Sequence, residues 1–141
     1  MPKNKTAVPS GSKIAPAYNI ARDEAANTAE INMYGEVVAA HPIDWWTGEP
    51  AAGNYIAVDE FLRDLNELEG CDEITIHLNS VGGDAFGGLS IYNRLKNMKA
   101  RIITENDSIA ASAASAIFMA GDVRRMNASS TLMIHGAAGF L

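Results

Sequence analysis

An α/β fold with mostly parallel strand pairing is what this sequence predicts, on three observations. Stretches in which apolar residues alternate with a period of two repeatedly give way to stretches with helical spacing. Glycines and short polar clusters fall at the joins between them. The chain of 141 residues, 48% hydrophobic and 20% charged, is long enough to close one core.

The elements follow in order. Residues 1–22 carry Lys3, Lys5, Lys13 and Arg22 with no acid, and Pro2, Pro9 and Pro16 between them. That is the composition of a flexible basic arm, either disordered or docked on a neighbouring subunit. The arm is expected over 1–29 and the folded domain over 30–141. Residues 30–39 (EINMYGEVVA) read as a strand interrupted at Gly35. Residues 41–54, with Pro42, Trp45, Trp46, Gly48, Pro50 and Gly53, read as a loop. Its paired tryptophans are expected to cap an edge of the core, or else to meet a subunit or substrate.

Residues 58–69 place Phe61, Leu62, Leu65 and Leu68 on one helical face, with Asp59 and Glu60 at the positive end and Gly70 as the stop. Residues 73–78 alternate as a strand, Ile74, Ile76 and Leu78 inward, Thr75 and His77 outward. Gly82 and Gly83 make a sharp turn into a helix over 84–98, whose expected inner face is Phe86, Leu89, Tyr92 and Leu95. A strand over 100–104, a helix over 110–120, and two strands, 123–126 and 131–135, paired across a turn at 127–130, complete the reading. Cys71 is read as a small residue in the turn before a strand.

Composition excludes several functions. A formal net charge of −6 disfavours general nucleic-acid binding, where phosphate attraction dominates. One cysteine precludes an internal disulfide or a Cys-rich zinc site, and three scattered histidines suggest no metal. The absence of any run near 18 apolar residues, and of an apolar segment behind the N-terminal lysines, leads to the expectation of a soluble, cytoplasmic protein with no membrane contact.

Three features carry chemistry. Ser112 lies at the start of an Ala/Ser-rich helix, where positive potential favours developing negative charge and small neighbours admit a backbone. Ser115, three residues on, is its rival, and tight helix packing is the plain alternative for both. His135 closes the apolar strand Leu132, Met133, Ile134, where it could reach a site outside the sheet, and imidazole is the side chain best suited to a general base near neutral pH; a structural hydrogen bond is its plain alternative. His77 and His41 are read as structural and exposed, respectively. The Gly82–Gly83 turn could present N–H groups to an oxyanion, together with the N–H of Ala113, or could equally cradle a phosphate.

Taken together, IHLNSVGG (76–83), GLSIY (88–92), AASAAS (110–115), MAG (119–121) and LMIH (132–135) resemble, in order and spacing, the motifs of the Clp protease proteolytic subunit (ClpP) family. They are closest to its phage and prophage head-maturation relatives. The likeness covers roughly residues 30–141. It implies a ClpP/crotonase-like spiral of repeated ββα units. It implies Ser112 as nucleophile, His135 as base, Gly82 and Ala113 as backbone oxyanion donors, and Gly83 and Asp84 beside an extended polypeptide substrate. No cofactor or metal is implied. It further implies a homo-oligomeric ring, served by an AAA+ ATPase or acting on phage scaffold or capsid protein.

Val81 stands where the family has proline. The family's third triad residue, an aspartate, and its following helical region lie well downstream of the histidine, so the expected spiral is C-terminally incomplete, a truncated chain or a degenerate prophage gene. Asp122 is a poor stand-in for the acid. A catalytically inactive ring-forming assembly protein is the alternative reading. A crotonase-like acyl-CoA enzyme is a more remote one, since no basic pocket for the nucleotide is evident.

Overall fold

The computed structural model describes residues 3–5, as backbone, and residues 18–136. A seven-stranded sheet is its centre. Its strands are β1 (Lys3–Lys5), β2 (Tyr18–Asp23), β3 (Thr28–Tyr34), β6 (Glu73–Ser80), β7 (Arg101–Ala111), β8 (Val123–Met126) and β9 (Thr131–Met133). A small parallel pair, β4 (Glu36–Val38) and β5 (Tyr55–Ala57), lies beside it. The helices are α1 (Val58–Asn66), α2 (Ala85–Lys96) and α3 (Ala113–Met119).

The sheet runs β1-β2-β3-β6-β7-β8, with β9 also on β7. From β3 onward all its pairings are parallel. Ile31 and Met33 of β3, Ile74, Ile76 and Leu78 of β6, and Ile102 of β7 meet Phe61 and Leu65 of α1, Ile91 and Leu95 of α2, and Ile117 and Phe118 of α3 in one core. Tyr18 stands edge-on to Phe61 at 5.2 Å and donates to Asp64 Oδ2 at 2.6 Å. Burial, then that carboxylate, pushes its phenol far above the usual tyrosine range.

Several expectations are corrected. Residues 18–23, expected within the arm, form β2, antiparallel to β3 across a turn that Asn27 enters with φ 56°; residues 6–17 of the arm lie outside the described residues. Residues 123–126 and 131–133 do not pair with each other. Both lie parallel to β7, β8 on its first half and β9 on its last. The strand after α2 continues to Ala111 instead of stopping near 104, because pairing with β9 and β6 overrides the helical preference of its alanines. Its register with β6 shifts between Leu78 and Ser80, which bends β7 and carries its end over the turn at Gly82.

The inner face of α2 is Gly87, Gly88, Ile91 and Leu95, whereas Phe86 and Leu89 are exposed. At Gly88 a Cβ would lie 2.8 Å from Ala113 O and 2.9 Å from Ala113 Cβ, so the bare glycine is what lets α3 come this close. Trp45 and Trp46 stack at 4.4 Å but are 80% and 81% exposed and cap no core edge. Their loop folds on itself through Asp44, whose Oδ1 accepts from the N–H groups of Trp46 and Thr47. His41, expected to be exposed, is half-buried with Nε2 3.1 Å from Ala51 O. Cys71 is buried immediately before β6. No helix among the described residues is long and apolar enough to cross a membrane.

Candidate active site

Two chain reversals, the Gly82 turn after β6 and the Ser112 hinge after β7, meet beside the end of β9 at the carboxyl ends of these parallel strands, where ligands bind in α/β folds. Ser112 is the hinge between β7 and α3. It is the N-cap of α3, not a residue of its first turn, and has φ 56° and ψ −123°. Among the described residues only Asn27 and Ser112 combine a side chain with positive φ. Asparagine tolerates that region in turns. A serine there is strained, and strain of this kind concentrates at sites where a side chain must be presented.

The hinge is held from both sides. Ser112 N–H donates to Met133 O of β9 at 2.9 Å, and Ser112 O accepts from Ser115 N–H at 2.9 Å. Its half-buried hydroxyl has no hydrogen-bond partner among the described residues. Ser115 differs: it is 7% exposed and its Oγ donates to Ser112 O at 2.5 Å. The rival serine thus faces inward and serves as a brace for the hinge.

Gly82, with φ +94°, presses directly on this hinge: a Cβ there would lie 2.5 Å from Ala111 O, 2.8 Å from Ala113 N and 2.9 Å from Ser112 Cβ. The turn at 82 and the N–H of Ala113 are therefore neighbours of the Ser112 side chain. Gly82 N–H donates to Ser80 Oγ at 3.1 Å. Gly83 is exposed and bridges Val37 in parallel register, through Val37 N–H to Gly82 O and Asp84 N–H to Val37 O, both 2.8 Å. In that pattern the N–H and C=O of Gly83 itself point away from Val37, towards an open edge.

Asp84 is the N-cap of α2, its Oδ2 accepting from Gly87 N–H at 2.9 Å. Its carboxylate is committed to the helix, not aimed at the open edge. Asp84→Ala is expected to lower stability by about 1 kcal/mol, checked by urea denaturation against the parent chain.

His135 lies two residues past the end of β9 and is exposed. Its Nδ1 is 2.7 Å from Gly136 O. A carbonyl only accepts, so Nδ1 carries the proton and the neutral ring keeps its lone pair on Nε2. The ring is not hydrogen-bonded to Ser112 in this conformation. The two residues nevertheless sit at the ends of paired strands, since Ala111 and Met133 are register partners. Asp122 is remote from both. Its Oδ2 accepts from Ile102 N–H at 2.8 Å, near the start of β7, whereas Ser112 follows the end of that strand.

A polar cluster on the helix-free face of the sheet was not anticipated. Tyr34 donates to Asp107 Oδ2 at 2.6 Å, and His77 Nδ1 is 3.1 Å from Asp107 Oδ1 and 3.9 Å from Glu105 Oε2. The Asp107 bond, then burial, pushes the Tyr34 phenol up to about 12. His77, Glu105 and Asp107 are the donors among the described residues that could hold a metal ion, although Asp107 already binds both Tyr34 and His77. The sequence shows Glu105 and Asp107 two apart, but only the extension of β7 past 104 puts them on one strand, with Glu105 the register partner of His77.

Comparison with known proteins bears on this geometry. Residues 52–141 match the family model described as Clp protease. The ATP-dependent Clp protease proteolytic subunit of Deinococcus radiodurans is 36% identical over 95 residues, which is 65% of this chain and 46% of that protein. A mutant of ClpP1 from Listeria monocytogenes aligns with TM-score 0.58 at 26% identity, over 77% of this chain and 56% of the other. ClpP1 from the same organism aligns with TM-score 0.57 at 24% identity, over 79% and 57%. The chain spans about half the length of these relatives.

Proposed function

The chain belongs to the Clp protease family, and from that premise we propose that it acts as a serine endopeptidase, with Ser112 as nucleophile and His135 as base. The observation that carries the proposal is the strained serine hinge packed against the Gly82 turn. In the reaction, Ser112 Oγ attacks the scissile carbonyl carbon while its proton passes to Nε2 of His135. The protonated imidazole then gives that proton to the leaving amine, and water releases the acyl group by the same route. The proton on Nδ1, held by Gly136 O, supports Nε2 as the accepting nitrogen. Closing the distance between His135 and Ser112 requires the exposed ring to turn from its present position.

The N–H groups of Ala113 and Gly82 are the oxyanion donors in this reading. The open backbone of Gly83 takes an extended polypeptide by strand addition, with Asp84 stiffening that turn through its cap on α2. The substrate is unfolded or extended polypeptide, and phage scaffold or capsid protein is the finer proposal. A homo-oligomeric ring, with an AAA+ ATPase or phage head proteins as partners, and a cytoplasmic setting belong to the same proposal.

A second reading, an inactive ring-forming assembly protein, is favoured by one observation: the imidazole is bonded to its own backbone neighbour and not to the serine. One experiment separates the two. The full chain is incubated with a fluorophosphonate probe and digested, and the adduct is located by mass spectrometry. A peptide carrying the adduct on Ser112 is the expected result. A folded chain with no adduct, or with the adduct on another serine, would exclude the peptidase assignment.

A further inference from the structure

The polar patch on the helix-free face of the sheet takes no part in the peptidase reading. At its centre is His77 of β6, half-buried between β3 and β7. Its Nδ1 lies 3.1 Å from Asp107 Oδ1 and 3.9 Å from Glu105 Oε2, and its Nε2 lies 4.0 Å from Glu30 Oε1. Three carboxylates thus surround one imidazole. Arg125 of β8 is the register partner of Glu105, but it is exposed, and no ion pair ties it to any of the three among the described residues. Negative charge gathered this closely, with no fixed cation bonded to it, attracts one from solution.

We infer that His77 Nδ1, Glu105 Oε2 and Asp107 Oδ1 form a binding site for a divalent transition-metal ion of the zinc type. The inference stands apart from the peptidase reading. The three donor atoms lie within 4.8 Å of one another. Metal bonds of about 2.0–2.2 Å place neighbouring ligands of a tetrahedral ion about 3.3 Å apart, so His77 and Asp107 already have the required separation and the Glu105 carboxylate has only to swing inward. Two of the ligands are also oriented from behind. Tyr34 donates to Asp107 Oδ2 at 2.6 Å, which leaves Oδ1 for the ion, and Glu30 faces the far nitrogen of the imidazole, as carboxylates do behind metal-bound histidines. Asn127 Nδ2 makes a long contact with Asp107 Oδ1 at 3.4 Å, and donates also to Asn106 O at 3.1 Å. One nitrogen and two oxygens favour a zinc-type ion over Mg²⁺ or Ca²⁺, which take all-oxygen sites; water completes the coordination from the open face. A carboxylate only accepts, so Nδ1 carries a proton in the metal-free chain. The ion takes the place of that proton, and the neutral ring then holds its proton on Nε2, towards Glu30. The bound ion joins β6 to β7 just before the register shift after Leu78, and so braces the strand that ends at Ser112.

The test uses the full chain labelled with ¹⁵N-histidine and titrated with zinc chloride, with the ring nitrogens followed by NMR and the His77 signals assigned by their loss in His77→Gln. The expected result is saturable binding in which His77 passes from the Nδ1–H to the Nε2–H form. Glu105→Gln and Asp107→Asn are each expected to weaken binding at least about tenfold, since even residues behind a metal ligand are worth about that much. A His77 ring unchanged in excess zinc overturns the inference, as does a response confined to His41 or His135. Equal affinity in the parent chain and Glu105→Gln would mean adventitious binding to a lone imidazole and overturns it too. If Asp107→Asn does not fold, Glu105→Gln alone is read by the same criteria.

Discussion

Gly82→Ala is expected to lose about 3 kcal/mol of stability or more, together with most labelling of Ser112, from the addition of one methyl group. Two costs combine. Alanine at φ +94° occupies a backbone region that L side chains avoid, at about 1–3 kcal/mol. The methyl also has nowhere to go. The atoms it would meet, Ala111 O at 2.5 Å, Ala113 N at 2.8 Å and Ser112 Cβ at 2.9 Å, belong to the backbone or to the base of a side chain, so no rotamer change relieves the overlap. Overpacking of this kind typically adds another 1–3 kcal/mol. The turn or the serine hinge must shift, and either shift separates Ala113 N–H from the Gly82 amide. Loss of one oxyanion donor alone is worth about 10²–10³ in rate. Urea denaturation and fluorophosphonate labelling check the two parts; a Gly82→Ala chain as stable and as reactive as its parent would contradict the packing described for this turn.

Ser112→Ala and Ser112→Gly are expected to part company in stability while agreeing in chemistry. Both remove the only hydroxyl available to the probe at this position, so labelling falls to background; in a complete triad, loss of the nucleophile costs on the order of 10⁶ in kcat. Alanine retains a Cβ at φ 56° and ψ −123°, and so keeps the strain. Glycine relieves it, and Ser112→Gly is expected to exceed Ser112→Ala in stability by about 1–3 kcal/mol. The larger conformational freedom of glycine in the unfolded chain offsets part of this, by about 0.5–1 kcal/mol. The comparison is made by denaturant melts of the two variants side by side. Equal stabilities would mean that the hinge is not strained.

Much of this arrangement was legible in the residues. The strand alternation of Ile74, Ile76 and Leu78, the break at Gly35 and the helix from Asp59 onward follow from period and turn chemistry. The α/β class follows from their sequence order, and the family resemblance from linked motifs. What escaped has physical reasons. The strand Tyr18–Asp23 was hidden by the basic, proline-containing composition around it. The extension of β7 to Ala111 was hidden by alanines whose local preference is helical, and only pairing with two neighbours overrides it. The inner face of α2 was misassigned because glycines carry no hydrophobic signal, yet Gly87 and Gly88 are what bring α2 against its neighbours. At the site, Ser112, Gly82 and Ala113 were recognisable as a group. The inward turn of Ser115 was not, nor were the two hydrogen bonds of Ser80, donated to Gly35 O and accepted from Gly82 N–H, because both depend on contacts made only after folding.

The pairing of β7 with β9 has a consequence for control. One short edge ladder, Ile109 to Ala111 against Thr131 to Met133, anchors the amide of Ser112 and also delivers His135 to the same end of the sheet. The proposed nucleophile and base are therefore both placed by a single zipper of three residue pairs. Were that margin to unzip, Ser112 and His135 would lose their placement together, so in the proposed peptidase this edge is a single point at which both could be switched off.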